Sequence, residues 1–99
     1  MEKIKVFKLI NGEEIIAEIF NQFADHFELK TPAQIVMQQT KDGVGVAMAP
    51  YMPYATGNIE LYKHAIASSG IPDVKMENEY SRLFGSGIQI ASAGSVPTF

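Results

Sequence analysis

With 99 residues, 46% of them hydrophobic and 19% charged, the chain has the composition of one small globular domain and not of a disordered segment. Eight basic residues against eleven acidic ones give a net charge of −3 with a single arginine, Arg82, and this balance weighs against a strongly basic nucleic-acid binder. The lack of cysteine excludes disulfides, thiolate metal sites and a cysteine nucleophile, and no apolar run approaches the roughly 20 residues of a membrane span.

Met1-Glu2-Lys3-Ile4-Lys5 enters strand-like alternation at once, without the charged, apolar and cleavage segments of a signal peptide, so a cytoplasmic location is expected. Val6, Lys8 and Ile10 alternate with Phe7 and Leu9, Asn11-Gly12 breaks the run, and Ile15, Ala17 and Ile19 again alternate with Ile16, Glu18 and Phe20. Asn-Gly takes the positive φ angles of a tight primed turn, which predicts a β-hairpin. A polar connector from Asn21 to His26, interrupted by Phe23, leads to a further extended run from Phe27 that is expected to stop at Thr31-Pro32. Phe23 is expected to tuck back onto the core. Asp25-His26-Phe27 combines an acceptor, an imidazole and an aromatic face at a strand start, and is read either as a capped turn beside core or as a ligand contact. Glu13 and Glu14 are adjacent on a strand and point to opposite faces, which makes them a poor acid–base pair.

Gln34 to Gln39 and Val44 to Pro50 flank Asp42-Gly43 and are expected to pair as a second hairpin. From Val44 to Ala55 twelve positions pass without a charge and carry two prolines, two methionines and two tyrosines. Such a segment is costly as solvated loop, so it is assigned to a subunit contact, the alternative being a cover for this domain's own core. The candidate contact residues are Val46, Met48, Tyr51, Met52 and Tyr54, followed by Ile59, Leu61 and Ile66 in the next strand region. Lys63-His64 separates two short apolar runs and predicts a tight bend between strands, or one bent strand. Asp73 is a candidate N-cap for a helix over 73–84 whose apolar residues Met76, Tyr80, Leu83 and Phe84 follow helical spacing, with Gly85 at its end. Residues 86–99 are expected to be a short strand or flexible.

The opening meander, with Leu9, Asn11-Gly12, Ile15, Ala17, Ile19, Asp25, Phe27 and Leu29, resembles the first sequence motif of the Sm and Sm-like (LSm) proteins. The run Asp25-His26-Phe27-Glu28-Leu29-Lys30-Thr31-Pro32 is similar to a pattern in small phage-encoded Sm-like proteins, which would place the chain in the cytoplasm of a bacterial host. Glu28 stands where the family has a base-contacting Asn, and Lys63-His64 stands for the family's basic-residue–Gly bend. The resemblance implies a mainly β fold, a strongly bent five-stranded antiparallel Sm-like barrel or sheet, here with one C-terminal α-helix in a single domain over residues 1–85. It also implies a homo-oligomeric ring of about five to seven subunits.

The expected function is therefore a ring that binds single-stranded RNA or DNA in nucleic-acid processing or chaperoning. His26 and Phe27 would stack bases beside Asp25, with Lys63 and His64 meeting phosphates. The alternative is a structural or protein-interaction ring, such as a virus assembly component, that binds no nucleic acid. No phosphate-cradling glycine loop, nucleophile elbow or metal-spaced cluster is present in the sequence, so neither an enzyme, a cofactor nor a metal is expected.

Overall fold

The structure, a computed structural model, describes residues 3–84, so the expectation for residues 86–99 lies outside the described residues. Strands β1 (Ile4–Leu9) and β2 (Glu14–Gln22) form the first hairpin. Gly12, at φ 94°, supplies the turn, and the Asn11 side-chain oxygen accepts the Glu13 amide at 2.9 Å. Strand β3 (His26–Thr40) returns along β2, and β4 (Gly43–Pro50) pairs with its second half from Ala33↔Pro50 to Thr40↔Gly43. Strand β5 (Ile59–Tyr62) pairs with its first half, from His26↔Tyr62 to Leu29↔Ile59. A 3₁₀ turn (Lys63–Ala65) leads into β6 (Ile66–Gly70), which pairs with β1, and helix α1 (Val74–Phe84) follows. The sheet order is β4-β3-β2-β1-β6, all antiparallel, with β5 on β3.

β4 and β5 run along the same side of β3 and act as two lengths of one interrupted strand. Between Ala33↔Pro50 and Leu29↔Ile59, β3 spends three residues, 30–32, where the partner side spends eight, 51–58. The excess makes the excursion Tyr51–Asn58, held at its start by the Tyr51 amide on the Pro32 carbonyl at 2.8 Å.

Thr31-Pro32 does not end a strand. Thr31 sits in the left-handed region at φ 42°, and the β2–β3 register slips by one residue between Glu18↔Lys30 and Ile16↔Ala33. The result is a bulge, which bends the strand and changes the face its side chains take. Before it, Leu29 packs with Phe7, Leu9, Ile15, Ala17 and Leu61 in one core; after it, Ala33 packs with Ile16, Met48 and Tyr80 in a second. The proline survives because a bulge does not require its missing N–H.

The sheet thus buries both faces. One core lies inside the bend, and the other lies under α1. Complete burial of a residue such as Phe7, Ile15, Ile16 or Leu29 contributes about 1.5–3 kcal/mol each. The helix starts where Asp73 Oδ1 accepts the Met76 amide at 2.8 Å, and Met76, Tyr80, Leu83 and Phe84 form its packed stripe. Its eleven residues are too few for a stable isolated helix, so its order derives from this packing.

Candidate nucleic-acid interface

Two segments far apart in sequence meet at one end of the bent sheet. The Lys63 amide donates to the Asp25 carbonyl at 2.9 Å, and the Ile10 amide donates to the Ala65 carbonyl at 2.8 Å. The 3₁₀ turn therefore ties together the turns at both ends of β2, which is possible only because the sheet curls. Asp25, His26, Lys63 and His64 come together by this means.

Strand alternation then sorts the side chains. In the β3–β5 pairing, Phe27↔Leu61 and Leu29↔Ile59 belong to the interior, while His26↔Tyr62 and Glu28↔Glu60 take the opposite, outer side. The His26 ring stacks on Phe23 with centroids 4.7 Å apart and leans on Tyr62 at 5.3 Å; Tyr62 stacks in turn on His64 at 6.0 Å. Four rings from a loop, two strands and a 3₁₀ turn form one continuous row. Phe23 is 45% exposed and Tyr62 41%, so the row has open faces and is not core.

Phe27 has a different position from the one expected of a base-stacking ring. It packs beside the buried core with its centroid 5.4 Å from that of Phe7, and the Lys63 ammonium covers it at 5.0 Å from the ring centre. The rings adjoining His26 are Phe23 and Tyr62. Phe23, expected to tuck into the core, turns outward instead because His26 offers it a face. Tyr62 carries no local sequence signal; only the register that sets it opposite His26 reveals it.

The electrostatics are mixed. His26 Nδ1 lies 2.7 Å from Asp25 Oδ1, and this hydrogen bond holds the Asp25 carboxyl below its ordinary value of 3.8, with nearby His26 and Lys63 charge acting in the same direction. An ionised carboxylate can only accept, so the proton of this bond belongs to Nδ1. On the outer face, Glu60 accepts the Tyr62 hydroxyl at 3.0 Å, which raises the Tyr62 pKa above 10.0, and Glu28 accepts the Asn58 side-chain amide at 3.1 Å. Among the described residues no group of three or more His, Cys, Asp or Glu could hold a metal ion. No described helix is long and apolar enough to cross a membrane.

The candidate contact residues divide. Met52 (48%) and Tyr54 (98%) are exposed on the 51–58 excursion, and Val46 (49%) is exposed on the β3–β4 hairpin together with Val36, Met37 and Val44. Met48 is buried under α1 and Leu61 within the sheet, Ile66 packs against that inner core, and Ile59 is half-buried in β5. Tyr51 packs there too and donates its hydroxyl to Glu13 at 3.0 Å. A shallow trough of about 450 Å³ borders the hairpin, lined by Val6, Ile35, Met37, Val46, Ile71 and Met76 among others. It lies on the helix side of the sheet and shares no residue with the ring row. No protein-family model matches the chain, and no curated protein matches its sequence.

Proposed function

We propose that the protein is an Sm-like, homo-oligomeric ring that binds single-stranded RNA or DNA, serving nucleic-acid processing or chaperoning and carrying out no chemical step. The observation that carries this reading is the row Phe23–His26–Tyr62–His64, with the Lys63 ammonium over the neighbouring Phe27. Exposed aromatic and imidazole faces with an ammonium close by are what unpaired bases and a phosphate need. Stacking is worth about 1–3 kcal/mol per base whatever the base. One such row on an acidic subunit is a weak site. Repetition around a ring places several lysines along one strand, which focuses positive potential and adds avidity.

Ring closure is supported by the sheet edges. Among the described residues, strands β4 and β6 end the sheet and each pairs on one side, and β4 carries exposed Val44 and Val46. Exposed, uncharged edges invite pairing, and a head-to-tail contact that closes on itself removes them. The test is fluorescence anisotropy with labelled single-stranded oligonucleotides at two salt concentrations. The reading expects binding that weakens with salt and is reduced by Lys63→Ala; absence of binding at low salt contradicts it.

A second reading is a ring that joins only proteins, for instance in a virus particle. The outward carboxylates Glu28 and Glu60, opposite each other across β3 and β5, favour it because they repel phosphate. Nuclease-resistant capture of a protein partner, lost on Val46→Asp, would support this version.

A further inference from the structure

We infer that the site prefers a guanine-bearing strand and reads that base through the Asp25 carboxylate, an inference that rests on the nucleic-acid reading above. The charges beside the ring row set the argument. Asp25, Glu28 and Glu60 stand around it, while the Lys63 ammonium lies over Phe27 and acts on Asp25 through its charge. A strand bound here makes few phosphate contacts, so discrimination falls to the base edges.

A carboxylate accepts hydrogen bonds and donates none, so it sorts bases by their donors. Guanine alone presents two neighbouring donors, N1–H and the N2 amino group, to a forked acceptor. Uracil offers one N–H between two carbonyl oxygens, which a carboxylate repels. Adenine and cytosine each pair an amino group with a ring-nitrogen acceptor, leaving one favourable contact and one unfavourable.

Of the three carboxylates, Asp25 is the one poised for this. Each carboxylate has one side-chain partner, Glu28 the Asn58 amide, Glu60 the Tyr62 hydroxyl and Asp25 the His26 ring, but Glu28 and Glu60 lie on strands whereas Asp25 lies in the loop that carries Phe23. Asp25 is anchored twice: its carbonyl takes the Lys63 amide at 2.9 Å, and its Oδ1 is bonded to His26 at 2.7 Å. That geometry leaves Oδ2 and the second lone pair of Oδ1 for the two donors of a ligand, on a side chain still 74% exposed. Anchoring matters because a pre-positioned acceptor loses little entropy on binding. A base stacked on the open ring of Phe23 meets the same short loop, 23–26, whose acceptor is Asp25.

The experiment uses the full chain and labelled uridine dodecamers in which one central base is uridine, guanosine or inosine; inosine keeps N1–H and lacks the N2 amino group. A single guanosine per strand prevents four-stranded assembly. The expected result is that guanosine binds about tenfold tighter than uridine with inosine between, as one forked contact allows. Asp25→Asn, which exchanges one acceptor for a donor, brings the guanosine-to-uridine ratio close to one. Equal affinities for all three strands overturn the guanine inference while leaving the nucleic-acid reading intact. Failure of every strand to bind overturns both.

Discussion

The Tyr80 hydroxyl of α1 donates to the carbonyl oxygen of Thr31 at 2.8 Å, reaching from the helix to the one non-glycine residue with positive φ among the described residues. The Lys30 carbonyl and the Thr31 hydroxyl each lie 3.2 Å from the Tyr80 hydroxyl oxygen. A phenol that is 2% exposed thus satisfies the backbone that the bulge displaces from the sheet ladder. The bend that brings Asp25 to Lys63 and the docking of the helix are therefore one structural event.

Tyr80→Phe keeps the ring packed against Phe84, Met48 and Ile16 but strips these polar atoms of their partner. The expected cost is about 1–2 kcal/mol, read as a fall of roughly 5–10 °C in thermal midpoint for a domain of this size. Circular dichroism melting checks it; a midpoint within about 1 °C of the parent, on the same scale, would show that the bulge is held by other contacts.

Alkali should act on the same contact. Burial, the first cause, favours the neutral phenol and raises the Tyr80 pKa above its ordinary value of 10.0. For a raised acid the associated stability is complete below the unfolded value and is lost as pH rises through the folded one. Stability should accordingly hold up to about pH 10 and decline above it, with a tyrosinate absorbance step that coincides with loss of helix signal. Tyr80→Phe should remove the coincident step.

Asp25 titrates in the opposite sense. The His26 hydrogen bond lowers its pKa from 3.8, so the interaction is present above the unfolded value and disappears as pH falls through the lower folded one. A carboxyl-carbon NMR titration should give a midpoint below 3.8 that rises in His26→Ala. An unmoved midpoint would separate the two side chains.

Lys63 tests the interface. Its ammonium lies over Phe27, away from any carboxylate ion pair in the described residues. Lys63→Ala should weaken single-strand binding several-fold and flatten the salt dependence, since each phosphate contact contributes to that slope. Its effect on thermal stability should be within about 0.5 kcal/mol, as for an ordinary surface change.

The elements whose causes are local were legible in the residues. Asn11-Gly12 and Asp42-Gly43 mark two of the hairpins, Asp73 marks the start of α1, and the spacing of Met76, Tyr80, Leu83 and Phe84 marks its packed stripe. What escaped depends on partners distant in sequence. Thr31-Pro32 looks like a strand end, and becomes a bulge only because Tyr80, 49 residues later, satisfies it. Lys63-His64 could be read as a bend, but its place beside Asp25 follows from the curl of the whole sheet. Phe27 and Tyr62 differ by one step of strand parity, inward against outward, and that parity is set by the β3–β5 register. A tripeptide such as Asp25-His26-Phe27 can therefore announce a site while leaving open which ring belongs to it.

Light scattering of the purified chain at micromolar concentration tests the central claim, that copies of this subunit close into a ring to form the strand-binding site. A discrete mass of about five to seven subunits is predicted, reduced by Val46→Asp on the β4 edge. A single well-folded species at the 10.9 kDa of one chain would contradict it.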